Sequence, residues 1–238
     1  MKKILTPLKY FIGLIIRTFH LPVNVGGFKI QFPAIMNITE LGSTITGKYE
    51  KSERTLVNKY LKANDIVLEM GACVGVVSLT INNQLKDKTK QVSIEPNPEM
   101  HKYLLENKLN NNGEFNIETC IVSEQKEVDF FIGGSAFLSS NTLGRGKKVS
   151  VVGKTLNELT KQYFDFTVIV MDIEGGELAF FRSFNIENSK IRLVIWETHM
   201  SPNMLSKNEL IECYEILEKQ GFKLKEKNKK VEAWIRYI

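Results

Sequence analysis

The sequence predicts an α/β fold, a doubly wound and mainly parallel open sheet. Three observations lead there. From Asp65 onward short apolar runs alternate with amphipathic stretches, which is how buried parallel strands and their crossover helices read. The first run, Ile66-Val67-Leu68, ends in Glu69 and turns through Gly71, Ala72, Cys73 and Gly75 toward a helix starting near Val76. The second, Gln91 to Ile94, ends in Glu95-Pro96-Asn97, so two of these strands finish in a carboxylate.

Bulk properties agree. The chain has 238 residues, 43% hydrophobic and 25% charged, enough for one domain with a sizeable core or two small ones and too apolar for disorder. Three cysteines, Cys73, Cys120 and Cys213, form no CxxC pair and no disulfide framework, and an odd count fits a reducing cytosol. A net charge of +5 is too mild to indicate nucleic acid, and none is expected as a partner.

Residues 1–60 read as an extension ahead of the main domain, 61–238. In the extension Ile4, Leu5, Leu8, Phe11, Ile12, Ile15, Ile16 and Phe19 recur at helical spacing, with Thr6, Lys9, Gly13 and Arg17 on the opposite stripe. Charges interrupt the run, so residues 1–20 are neither a secretory signal nor a membrane span. Two placements suit such a helix: packed on the domain, or lying in a membrane interface with its apolar face down. Val23 to Val25 and Phe28 to Phe32 flank Gly26-Gly27 as a hairpin. Glu50 to Lys62 is an amphipathic helix with Leu56, Val57, Tyr60 and Leu61 on one side.

In the main domain the third strand is expected over Phe115 to Val122, the fourth over Thr167 to Met171 and the fifth over Arg192 to Trp196. Asn208 to Gln220 is a helix capped by Gly221, and Phe222 to Lys225 with Val231 to Tyr237 form a closing strand pair. Phe130 to Lys147, rich in Gly, Ser and Asn, reads either as a covering segment over the site or as a plain hairpin excursion.

Ligands of open α/β sheets sit beyond the carboxyl ends of the strands. Small residues at 71, 72 and 75 permit close backbone approach, but Cys73 stands where a dinucleotide fingerprint needs glycine. Glu95 at a strand tip can accept both hydroxyls of a ribose. Adjacent fourth and fifth strands would deliver Asp172 and Glu174, Glu197 and His199 to one crevice, each pair spaced by two. His199, with an ordinary pKa near 6.5, suits a general base oriented by a carboxylate. As alternatives it is a hydrogen-bonded structural residue, or joins Asp172 and Glu174 around a divalent metal. Glu177 is expected to cap helix amides.

The loop Leu68-Glu69-Met70-Gly71-Ala72-Cys73-Val74-Gly75, the tip Ser93-Ile94-Glu95-Pro96-Asn97-Pro98, the stretch Val149 to Leu159 and above all Met171-Asp172-Ile173-Glu174-Gly175-Gly176-Glu177 resemble the FkbM family of class I methyltransferases. The resemblance runs from about Lys62 to Met200. It implies a seven-stranded, Rossmann-like sheet with a final antiparallel strand and S-adenosylmethionine as cofactor. Carried over by position, it implies that Glu69, Gly71, Ala72, Cys73 and Gly75 surround the methionine part and adenosine. Glu95 would hold the ribose with Pro96 and Asn97 beside it, Val122 and Ser123 would edge the adenine, and Asp172 would also face the cofactor. Two positions depart from the pattern: many members carry Asp where this chain has Glu69, and Asn where it has Cys73. The activity implied is O-methylation of a sugar or glycan hydroxyl in the cytoplasm. The alternatives are methylation of a lipid or small secondary metabolite, and a non-catalytic cofactor-binding scaffold.

Overall fold

Gly26 and Gly27 take φ of +64° and +95°, a turn glycine accommodates without strain, and so the first hairpin closes where the sequence places it. Its strands are β1 (Val23–Val25) and β2 (Phe28–Ile30). The computed structural model describes residues 2–133, 146–183, 185, 189–201 and 204–237. Ahead of the hairpin lies α1 (Lys2–Phe19), and after it come α2 (Ile38–Thr44) and α3 (Lys51–Tyr60). Helix α2, which the sequence reading lacks, is capped by Asn37, whose Oδ1 accepts from the amides of Thr39 and Glu40.

Helix α1 meets α2 backbone to backbone. A Cβ on Gly13 would stand 1.9 Å from the carbonyl oxygen of Ile38, and one on Gly42 would stand 1.7 Å from that of Lys9. Arg17 donates to the carbonyl of Met36 on the same side. The stripe carrying Lys9, Gly13 and Arg17 is therefore the docked one. Ile12 and Ile16, at the edge of the apolar stripe, reach the core, whereas Leu8, Phe11 and Phe19 face solvent. The helix thus takes the first of its two expected placements, packed on the domain, and does so through its polar stripe with Ile12 and Ile16.

The main sheet follows: β3 (Val67–Met70), α4 (Val76–Gln84), β4 (Gln91–Ile94), α5 (Pro98–Asn110) and β5 (Asn116–Glu118). The single third strand expected over Phe115 to Val122 is in fact two. After Glu118 the chain leaves the sheet, and β6 (Ile121–Val122) joins β7 (Glu127–Ile132) and β8 (Lys147–Lys154) in a separate three-stranded sheet. Strands β7 and β8 pair antiparallel, Ile132 opposite Lys147, so the ends of the Phe130 to Lys147 segment form a hairpin. Its central residues, 134–145, lie outside the described residues. The remainder is α6 (Leu156–Gln162), β9 (Val168–Met171), α7 (Glu177–Ser183), β10 (Leu193–Glu197), α8 (Lys207–Lys219), β11 (Lys223–Asn228) and β12 (Val231–Ile235).

The seven strands are ordered β11-β12-β10-β9-β3-β4-β5, parallel except for β12, which runs antiparallel to both neighbours. This is the predicted doubly wound sheet. Its central strands are buried throughout because both faces are covered. Leu68, Met70, Ile169, Met171, Val194 and Trp196 face α6, α7 and α8, and Val67, Val168, Val170, Leu193 and Ile195 face α3 and α4. Connections diverge between β3, which continues to β4 and β5, and β9, which continues to β10. A crevice opens outside the carboxyl ends at such a point.

Candidate active site

At that point the loop after β3 touches the loop after β9. Gly71 has φ of +87°, and a Cβ there would stand 1.7 Å from the carbonyl oxygen of Asp172. Glycine is required here by the chain's own backbone, and Gly71 also lines the adjoining cavity. Gly75, at φ +89°, is likewise needed for its conformation and for Leu104, 2.8 Å from its would-be Cβ. The amides of Gly71 and Ala72 both donate to the carbonyl of Ile94, tying this loop to the tip of β4.

Glu95 locks that tip. One carboxylate oxygen accepts from the amide of Cys73 and the other from the amide of Asn97, each at 2.7 Å. Each oxygen keeps a second lone pair. Burial pushes the Glu95 carboxyl up to about 7, against the two amides that hold it down.

A cavity of about 560 Å³ opens here. The β3 and β4 loops contribute Gly71, Cys73, Glu95 and Pro96, and Met100 follows from α5. Cys120, Val122, Ser123 and Phe130 come from the small sheet and its approach, and Asp172, Glu174 and Glu197 from the ends of β9 and β10. Glu69, Ala72, Gly75, Asn97 and His199 do not line it. Glu69 is the clearest correction to the expected contact set. The alternation of β3 turns it to the α3–α4 side, where its Oε2 accepts from Ser93 Oγ at 2.5 Å and Gln91 Nε2 at 3.3 Å. It lines instead a narrow recess shared with Glu50, Glu53 and Asp172.

Sequence reasoning missed Tyr49, Glu50 and Glu53, which line the cavity from the start of α3. A signal existed: Glu53, Leu56, Val57 and Tyr60 fall at helical spacing on one face, so a glutamate was bound to enter the core. Glu53 is only 7% exposed. Burial pushes it up to about 9, helped by Glu197 beside it, and burial with Asp172 and Glu69 pushes Glu50 up to about 8. Glu50 Oε2 is shut off from solvent and has no hydrogen-bond partner.

The predicted quartet of Asp172, Glu174, Glu197 and His199 does come together. Nε2 of His199 stands 3.2 Å from Asp172 Oδ1, 3.5 Å from Glu174 Oε2 and 3.7 Å from Glu197 Oε1. Strand alternation explains this only in part. Glu174 has φ +49° and reaches the histidine by a left-handed turn, not by extension. Glu177 does more than cap. Fully buried, it accepts from the amide of Gly175 at 3.1 Å and from Nδ1 of His199 at 2.6 Å, which fixes the tautomer and the ring plane. Asp172, Glu197 and His199 also bring one potential ligand atom each within 4.8 Å of one another, a spacing that a divalent cation would bridge.

The expected pKa of His199 needs correcting as well. Burial pushes the imidazole down, but the hydrogen bond to Glu177 and the charges of Asp172 and Glu174 outweigh it and hold His199 up at about 9. Burial pushes Asp172 up to about 8, with Glu174, Glu197 and Glu177 adding to it and His199 opposing. At neutral pH the free site therefore stores protons.

Residues 69–224 match the family model described as the methyltransferase FkbM domain. The chain belongs to the FkbM methyltransferase family. It is an S-adenosylmethionine-dependent methyltransferase, and the cavity lies where the matched segment places the ends of β3, β4, β9 and β10. Comparison with curated proteins gives no match. Among solved structures the chain is similar to a human methyltransferase 10 domain containing protein, at 13% identity over 100% of this chain and 99% of that one, with a TM-score of 0.49. It is similar to magnesium protoporphyrin IX methyltransferase from Synechocystis with bound SAM, at 10% identity over 82% and 83%, TM-score 0.48. Precorrin-6y C5,15-methyltransferase from Geobacter metallireducens gives 11% identity over 77% and 88%, TM-score 0.47.

Proposed function

We propose that this FkbM methyltransferase transfers the methyl group of S-adenosylmethionine to a hydroxyl of a sugar or glycan. The observation that carries the reading is one cavity lined both by a ribose-ready carboxylate, Glu95, and by the carboxylates Asp172, Glu174 and Glu197, behind which His199 is buried.

The residues present fit the cofactor. Glu95 has unused lone pairs for the two ribose hydroxyls, with Pro96 alongside and Asn97 held to it through the backbone. Ile94, Met100, Val122 and Phe130 offer apolar surface for a base, and Ser123, which also lines the cavity, would edge it. The orphaned Glu50 Oε2 and the raised carboxyl of Asp172 suit a ligand bearing positive charge. When bound, S-adenosylmethionine supplies an electrophilic methyl carbon on a cationic sulfur. Glu69 supports this arrangement from behind through Ser93 and Gln91.

The chain's own residues then have three tasks. Asp172, Glu174 and Glu197 accept hydrogen bonds from the acceptor, a role that suits a polyol with several hydroxyls to donate. Holding the reacting hydroxyl in line contributes most to rate, through effective concentration. His199 receives its proton at Nε2 by way of the cavity-lining carboxylates, Asp172 nearest at 3.2 Å, since Nδ1 is committed to Glu177, and those carboxylates stabilise the imidazolium formed. Because His199 is held up, turnover should rise with pH toward about 9 instead of levelling off above the ordinary histidine range.

The test is a screen by mass spectrometry for the gain of one methyl group, run with S-adenosylmethionine on matched sets of glycosides, glycolipids, phenols and amines. Methylation of glycosides that is lost with His199→Ala while cofactor binding persists is the expected result. Methylation confined to amines or phenols would refute the sugar reading.

A further inference from the structure

We infer that α1 is a membrane-docking element that seats the protein on an anionic lipid surface. The helix is attached to the domain by its polar stripe. Gly13 and Gly42 let the α1 and α2 backbones touch, Arg17 is bonded to Met36, Ile12 and Ile16 reach the core, and Leu8, Phe11 and Phe19 of the apolar stripe are left facing solvent. Leu8 is 54% exposed, Phe11 60% and Phe19 68%. Of the fifteen large apolar side chains exposed among the described residues, six fall between residues 8 and 21. Such crowding is unlike the scattered single exposures of an ordinary surface.

Charge decides what covers it. The sequence of α1 has no acidic residue; Lys9 and Arg17 lie on the docked stripe, Arg17 tied to the carbonyl of Met36, and Lys2 and Lys3 add positive charge at its start. A second copy of this chain would bring two such cationic helices face to face, which like charges oppose. An anionic lipid surface instead complements the cations and accepts the aromatic and aliphatic side chains at the headgroup boundary. No described helix is long and apolar enough to cross a membrane, so the attachment is peripheral.

The experiment is vesicle flotation of the full chain. Vesicles of phosphatidylcholine alone are compared with vesicles of phosphatidylcholine and phosphatidylglycerol in equal parts, at low and high salt. The parent should float with the mixed vesicles and be released by salt. F11S/F19S should lose binding by roughly tenfold or more. Both rings are mostly exposed, so the melting temperature of this variant should match the parent and separate lost docking from lost folding. K2E/K3E should weaken binding to mixed vesicles only. Failure of the parent to float, or equal flotation by parent and F11S/F19S, would overturn the inference. So would sedimentation showing a dimer that F11S/F19S dissociates, because α1 would then cover a second copy.

Discussion

Glu177→Gln isolates the interaction that most shapes the site. Gln keeps the volume in a fully buried position and keeps an oxygen for Nδ1 of His199, now 2.6 Å away, but removes the charge. A hydrogen bond to a charged group is worth about 1.5–3 kcal/mol and a neutral one about 0.5–1.5 kcal/mol, so the substitution should forfeit about 1–1.5 kcal/mol of preference for the imidazolium. At about 1.4 kcal/mol per unit, the midpoint of His199 should fall by about one unit from its present value near 9. The assay is NMR titration of isotope-labelled imidazoles, which needs no acceptor. The chain has three histidines, His20, His101 and His199, and a His199→Ala spectrum assigns the signal. A parent midpoint near the ordinary 6.5, or one unmoved by Glu177→Gln, would refute the view that Glu177 sets the proton affinity of the cluster.

Other consequences are open to measurement. Glu95→Gln should weaken S-adenosylmethionine binding by about tenfold to a hundredfold, the worth of one or two charge-assisted hydrogen bonds, as read by calorimetry; an unchanged Kd would remove Glu95 from the cofactor site. Glu50, Glu53, Glu95 and Asp172 all have folded pKa values raised above their unfolded ones, to between about 7 and about 9. Their contribution to stability is present below pH 4 and lost as pH rises through those values, so the melting temperature of the free protein should fall between pH 5 and pH 9. A melting temperature that climbs over this range would contradict it. Binding of the cationic cofactor should also release protons, visible as calorimetric heats that differ between buffers of different ionisation enthalpy. Gly71→Ala, with a positive φ and the Asp172 carbonyl in the way, should destabilise by at least about 2 kcal/mol in urea unfolding; a loss under half of that would mean the two loops part easily.

The sequence by itself determined the fold class, most elements of the main sheet and the end of the sheet where the site lies. These follow from local regularities: alternation and apolar runs give strands, three-to-four spacing gives helices, and glycines mark turns that need positive φ. They also place Asp172 beside Glu197, because adjacent parallel strands in register bring Met171 opposite Trp196. The tertiary structure decided which partner each side chain meets. It sent Glu69 to Ser93 and Gln91, brought Glu50 and Glu53 into the cavity from the extension, and made Glu177 the anchor of His199. It also laid α1 down on its polar stripe. Each of those outcomes depends on groups distant in sequence competing for one buried face, and on charges whose mutual repulsion and burial are set only when the chain has folded. Periodicity names the face of a helix or strand, and packing alone chooses what that face touches.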